Sequence, residues 1–389
     1  MPTKNLVEEK QKSGYKQKSR ADFTLGKVGA LKFNHLFSMQ FKKKLAMIYT
    51  SEPTVSVIIP VHNGGAYFRT CLSKLAQAVP RPIEIIVVAD GESDGSWRLA
   101  KEFGAKVIRI PECGGPARAR NLGAQAAKGD ILFFVDADVA VCPEAIGYAK
   151  SVFKNNPYLA ALIGSYDDAP GDPDFLSQYR NLLHHYVHQT ANEEASTFWG
   201  ACGVIRREIF LQMGGFNESY RQASIEDIEL GYRLKQAGYK IRLCKTLQVK
   251  HLKRWEAVGM VKADFFYRAL PWTELIWRDR KLNNDLNLQV SNRISVVLTY
   301  SMLLAVVATC WSLNFLLLAG LLAIPLVAIN AELYRFFQQK HGILFALKTI
   351  PWHWLFYFYS GLAFAIGTGR HLSQKKPLTG KVRLPVSAQ

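Results

Sequence analysis

The first half of the chain alternates short apolar runs with amphipathic stretches. Residues 55–61, 83–88, 106–110 and 131–135 read as strands. Most are continuous apolar runs of the kind buried on both faces of a parallel sheet. Between them, residues 67–78, 97–103 and 117–128 carry helical spacing. This alternation predicts an α/β fold on a doubly wound, mostly parallel, Rossmann-like sheet. Further on, residues 196–205 read as a strand and 208–213 as a short helix ending at Gly214-Gly215. Residues 225–234 read as an amphipathic helix closed by Gly238.

The pattern changes near the C-terminus. Residues 294–329 are apolar almost throughout, broken only by Trp311-Ser312-Leu313-Asn314. At ~20 residues per crossing, that run is too long for one span and predicts a transmembrane hairpin. Arg293 before it and Arg335 and Lys340 after it place both ends on the cytoplasmic side. A third apolar segment, 343–367, contains Lys348, Pro351 and His353 and precedes Arg370, Lys375, Lys376 and Lys381. A single crossing would put that basic tail outside, so the segment reads as re-entrant or interfacial.

The expected organisation is a basic leader (1–52), a catalytic unit (53–255), an interfacial helical coupling segment (256–293) and the hairpin (294–330). A basic loop with the third segment (331–369) and a basic tail (370–389) follow.

The net charge of +18 calls for an anionic partner, and the 49% hydrophobic content allows a sizeable core as well as a membrane portion. No zinc-finger, RNA-recognition or homeodomain pattern is present, so the partner is membrane lipid and not nucleic acid. Arg268, Arg278, Arg280 and Lys281 lie where they would meet an anionic membrane surface. The six cysteines are scattered without metal-ligand spacing, as in reduced thiols facing the cytoplasm. Residues 1–20 are polar and lack the apolar stretch of a signal peptide. Lys42-Lys43-Lys44, with Phe33, Leu36, Phe37 and Phe41 at helical spacing, fits a membrane-surface helix or a solvated leader equally.

The candidate chemistry gathers at strand ends. Asp136-Ala137-Asp138 follows the apolar run 131–135. Open α/β sheets bind ligands beyond the carboxyl ends of their strands, and paired carboxylates suit a divalent cation holding a diphosphate. His62-Asn63 and the Asp90–Asp94 loop end two other strands on the same edge, which predicts a nucleotide site. No GxGxxG follows the first strand and no GxxxxGK[ST] occurs, against a dinucleotide dehydrogenase or a P-loop NTPase. His184 and His188 are spaced i, i+4 but lack the acid of an HExxH-type metal site, so they read as structural, lining a cleft.

Taken in order, Pro60-Val61-His62-Asn63, Asp90-Gly91 with Asp94-Gly95-Ser96, Gly115-Pro116-Ala117-Arg118-Ala119-Arg120-Asn121-Leu122-Gly123 and Asp136-Ala137-Asp138 resemble the motifs of the family 2 glycosyltransferases, which have the GT-A fold. The similarity continues through Gly203-Val204-Ile205-Arg206-Arg207, Gly214-Gly215-Phe216-Asn217-Glu218 and Glu226-Asp227 and ends near His251.

The resemblance implies an inverting, metal-dependent transfer of a sugar from UDP or GDP to a lipid-linked or glycan acceptor. The cofactor would be Mg or Mn, and the catalytic domain would sit on the cytoplasmic face of the inner (plasma) membrane. It implies that Asp90 bonds the base beside Pro60, Val61 and His62, that Arg120 helps hold the nucleotide, and that Asp136 lies near the ribose. Asp138 would ligate the metal with His251, and Asp227 would be the general base. Trp199, Gly200, Glu226, Arg254 and Trp255 would border the acceptor.

The chain departs from the family pattern at Ala89, where an Asp often precedes the Asp90 position, and at His62, where a Tyr is common. His251-Leu252-Lys253-Arg254-Trp255 resembles the Gln-x-x-Arg-Trp element of processive synthases with His in place of Gln. Two other classes compete: a non-catalytic membrane scaffold and a nucleotidyltransferase. The four acids Asp90, Asp136, Asp138 and Asp227 weigh against the first. The absence of a Gly-rich basic loop after Val61 weighs against the second.

Overall fold

The computed structural model describes residues 52–280 and 282–373. The expected basic leader up to residue 51, Lys281 and the tail from residue 374 lie outside the described residues. Strands β1 (Val55–Val61), β2 (Glu84–Asp90), β3 (Lys106–Ile110), β4 (Ile131–Val135), β5 (Val139–Val141), β6 (Leu159–Tyr166), β7 (Cys202–Arg206) and β8 (Lys240–His251) form one sheet. Its order is β3-β2-β1-β4-β7-β6-β8-β5.

β1, β2, β3 and β4 pair in parallel, as the apolar runs predict. The second half is mixed, because β7 runs antiparallel to both β4 and β6, and β5 runs antiparallel to β8. The expected strand at 196–205 begins only at Cys202. Upstream of it, the Ser196 and Gly200 N–H groups bond Asp285 and Asp227 side chains in place of a ladder.

Helices α1 (Gly65–Ala76), α2 (Ser96–Glu102), α3 (Pro116–Ala126), α4 (Ala145–Asn155), α5 (Phe175–Thr190), α6 (Arg207–Gln212) and α7 (Glu226–Gln236) connect the strands. Central strand β4 is buried at every position. Its Phe134 ring meets Phe198, Phe210 and Phe216 at centroid separations of 6.2, 5.2 and 5.2 Å. This cluster pins the 197–200 loop beside the strand end that carries Asp136. Helix α7 approaches the same loop closely at Gly231, where a Cβ would stand 2.3 Å from Phe198 N.

Beyond β8 come α8 (Ala257–Lys262), a π-helical turn (Ala263–Ala269) and α9 (Leu270–Asp279). Then follow α10 (Val290–Ala308), α11 (Asn314–Ile329) and α12 (Ala331–Ser373), the last broken at Gly342 with φ +83°. Among the described residues, α10 is long and apolar enough to cross a membrane; α11 and α12 reach that criterion only as a pair bent by 68°. Leu304 (69% exposed), Trp311 (80%) and Leu317 (72%) leave large apolar surfaces unpacked along α10, α11 and their connection.

Asn330 ties the bundle together, donating to Ser295 Oγ at 3.1 Å and accepting from Tyr357 Oη at 2.8 Å. Segment 343–367 is helical throughout. It packs on the coupling segment, where Trp277 Nε1 donates to Thr368 Oγ1 further along α12.

Candidate active site

The loops at the ends of β1 and β2 are tied to each other by polar contacts. Asp90 is 3% exposed; its Oδ1 and Oδ2 accept the Gly114 and Gly115 N–H groups, each at 2.8 Å. Gly115 (φ +90°) has room for no side chain, since a Cβ would stand 2.2 Å from Arg221 O. His62 Nδ1 donates to Asp90 O at 2.7 Å, and Asn63 Oδ1 accepts the Ser93 N–H. Asp94 accepts from Gly65 N, Ser96 N and Ser96 Oγ. These bonds hold its carboxyl below its ordinary value, outweighing the opposing effect of burial. Asp90 therefore anchors the 113–115 loop, with Pro60, Val61 and His62 on the adjoining strand end.

Arg120 of α3 joins the two halves of the site. Its Nη2 meets Asp136 Oδ1 at 2.6 Å and its Nη1 meets Glu226 Oε1 at 2.8 Å. The guanidinium is buried, and both terminal nitrogens are engaged by carboxylates of this chain. Glu226 Oε2 accepts the Ser224 N–H, so both of its oxygens are occupied. Asp227, the next residue, accepts from Gly200 N at 2.9 Å and Ile228 N at 2.8 Å. Burial, then the Glu226 charge, push its carboxyl up to about 6.

Across the cleft, Asp138 Oδ2 lies 3.5 Å from His251 Nε2. Burial opposes ionisation of Asp138, but the His251 ring and Lys253 hold its carboxyl below the ordinary value. His251 Nδ1 donates to Asn181 Oδ1 at 2.8 Å, which fixes the ring with Nε2 toward the carboxylate. A carboxylate and an imidazole are donors that would suit Mg or Mn, and a ring oriented by Asn181 suits a ligand histidine. No group of three His, Cys, Asp or Glu side chains gathers around one point among the described residues, so other ligands would come from diphosphate and water.

A polar stripe on α5 lines this side. Ser177 Oγ accepts the Trp255 N–H, Asn181 orients His251, and His188 Nδ1 donates to Gly164 O. His184 packs on Tyr166 (4.7 Å) and Trp199 (5.1 Å), and Tyr166 stacks on His251 at 4.7 Å. Burial pushes His188 down to about 4 and lowers His184 well below the ordinary imidazole value, where neighbouring positive groups add to the effect. Both histidines thus form part of the aromatic wall beside Tyr166 and Trp199.

Gly200 and Glu226 thus come together around Asp227, whereas the Trp199 ring packs on Tyr166, His184 and His188 and the Trp255 ring stands 6.3 Å from His251. Arg254 instead pairs with Asp174 on the exposed surface at 2.6 Å. Asn181 and Tyr166 were not singled out in the sequence. Asn181 had a visible signal in the spacing Ser177, Asn181, His184, His188, which sets polar residues along one face of an otherwise apolar helix.

The sheet has the strand arrangement of the GT-A fold. Residues 56–214 match the family described as "Glycosyl transferase family 2", and residues 181–256 match "N-terminal domain of galactosyltransferase". An uncharacterized glycosyltransferase of Haemophilus influenzae is 30% identical over 220 residues, spanning 51% of this chain and 69% of that protein. A probable glycosyltransferase of Bacillus subtilis is 29% identical over 206 residues, and the match spans about half of its length (48%) and 49% of this chain. A mannosyltransferase from Pyrobaculum calidifontis, solved with GDP-mannose and Mn2+, superposes with a TM-score of 0.53 at 17% identity, covering 90% of this chain and 97% of that one. The chain belongs to glycosyltransferase family 2.

Proposed function

We propose that this chain is a metal-dependent, inverting glycosyltransferase that moves a sugar from UDP or GDP to a lipid-linked or glycan acceptor, and that it is anchored in the plasma membrane with its catalytic unit on the cytoplasmic side. The observation that carries this reading is the Arg120 bridge: one guanidinium fixes Asp136 on the donor side and Glu226, next to Asp227, on the acceptor side.

The nucleotide base lies against Pro60–His62 and the loop anchored by Asp90, with Asp136 near the ribose. Asp138 and His251 would hold a divalent cation. When bound, it supplies positive charge for the diphosphate leaving group. Arg120 acts through the two carboxylates it positions.

Asp227 takes the proton from the acceptor hydroxyl. The acceptor oxygen bonds to C1 of the sugar as the C1–O bond to the diphosphate breaks, releasing the nucleoside diphosphate. A carboxyl raised to about 6 is ionised near neutral pH yet basic enough to accept that proton. Glu226 is held in a buried ion pair with Arg120, and with Asp227 serving as base the transfer is a single displacement with inversion. Trp199, Gly200 and Trp255 border the acceptor, with Arg254 at the outer rim.

The exposed apolar faces of α10 and α11 support membrane anchoring. Lys340 pairs with Asp168 of the catalytic unit, which supports a hairpin with both ends on that unit's side. A panel of UDP- and GDP-sugars with Mg or Mn, read by nucleotide release, tests the function. Release that depends on one donor and on metal is expected, and no release with any donor would contradict the reading.

A further inference from the structure

We propose that the acceptor is a lipid carrying a phosphate group, and that Arg268, with Arg180 behind it, binds that phosphate. The inference rests on the acceptor side assigned above and names what that side recognises.

The π-helical turn Ala263–Ala269 follows β8 and α8 directly, and such turns concentrate at functional sites. It buries Asp264 (4% exposed) and sets Arg268 one turn later. Asp264 Oδ1 accepts from Arg180 Nη2 at 2.5 Å and from Arg268 Nη1 at 3.2 Å, while Oδ2 accepts from Tyr359 Oη at 2.7 Å. One carboxylate thus faces two guanidinium groups. No other carboxylate pairs with either arginine among the described residues, so one positive charge is left over. The Arg268 side chain is 43% exposed and uses one of its nitrogens on Asp264. A guanidinium with spare donors beside an uncompensated charge is suited to a phosphate.

Two contacts place this pair at the reacting cleft. Ser224 Oγ donates to Tyr267 O at 2.6 Å, and Ser224 N donates to Glu226, so the Arg268 turn is bonded to the loop that enters the Asp227 helix. On the other side, Arg180 lies over the Trp255 ring at 5.9 Å, and that ring neighbours His251.

The surroundings point to a lipid source for the phosphate. Phe266 (56% exposed) and Val258 (80%) present apolar side chains on the same stretch. Tyr359, the hydroxyl donor to Asp264, belongs to α12, which also packs on the apolar α10 through Tyr300 Oη and Phe358 O. A phosphate carried on an apolar chain fits both features.

The test titrates the full chain in detergent with farnesyl phosphate, farnesol and inorganic phosphate, for wild type, Arg268→Gln and Arg268→Lys. Farnesyl phosphate should bind wild type about tenfold or more tighter than farnesol, the scale of a charged hydrogen-bonded contact. Inorganic phosphate should bind far more weakly than farnesyl phosphate. Arg268→Gln should abolish the preference over farnesol, and Arg268→Lys should retain part of it. Equal wild-type binding of farnesyl phosphate and farnesol would overturn the proposal, and that comparison needs no variant. Inorganic phosphate binding as tightly as farnesyl phosphate would overturn the lipid assignment, and a preference preserved in Arg268→Gln would overturn the residue assignment. Sugar-nucleotide titration of the same wild-type sample reports separately on the donor reading, so the two fail independently.

Discussion

Arg120 Nη1 lies 2.8 Å from Glu226 Oε1, tying the helix that follows the Asp90-anchored loop to the residue beside Asp227. Glu226 raises the Asp227 carboxyl by its negative charge, second only to burial. Glu226→Gln removes that push and leaves the Arg120 charge, which lowers Asp227, less compensated. Both changes act in one direction. The acid limb of the kcat–pH profile, set in the wild type near the value of about 6, should move to lower pH; a limb that stays or moves up contradicts this coupling.

Asn181 orients the His251 ring, its Oδ1 accepting from Nδ1 at 2.8 Å. Asn181→Leu should raise the Mn concentration for half-maximal activity by about 10- to 100-fold, the usual effect of losing a residue that orients a metal ligand. Saturating Mn should restore much of the rate. A variant with unchanged metal dependence would remove Asn181 from this role.

Gly231 lets α7 approach the 197–200 loop, and a Cβ there would stand 2.3 Å from Phe198 N and 2.5 Å from Thr197 C. Gly231→Ala should destabilise the fold by about 1–3 kcal/mol, as overpacking of a close contact does. Because the same contact sets Gly200 against Asp227, kcat should fall in the fraction that remains folded. Thermal unfolding and turnover on one preparation check both.

Lys340 reaches Asp168 of the catalytic unit, and α10 starts close after the coupling segment. Single cysteines introduced beside Arg293 and Lys340 should resist a membrane-impermeant thiol reagent in sealed cells and react after lysis. Labelling of either from outside would contradict the cytoplasmic hairpin.

The parallel half of the fold was legible because β1, β2 and β4 are continuous apolar runs, a pattern that specifies burial on both faces. The Asp136-Ala137-Asp138 and Glu226-Asp227 elements were legible from their order along the chain. What could not be read were relations between distant segments. Nothing local in Arg120 announces that its partners lie 16 and 106 residues away. Nor does Asp90 reveal that its oxygens anchor the 113–115 loop. Residues 196–201 misled because their composition suits a strand, whereas their N–H groups are drawn off by Asp227 and Asp285. The pairing of β7 between β4 and β6 is likewise a tertiary choice that no period along the chain encodes.

Asp227 is the proposed base, and Gly200 N and Ile228 N hold its carboxylate in place. Asp227→Asn keeps the shape and removes the proton affinity. Single-turnover transfer measured beside a donor titration is the direct test. The rate should fall by a factor on the order of 100 or more while the donor dissociation constant stays within about twofold; equal losses in rate and donor affinity would make Asp227 a binding residue and contradict the mechanism.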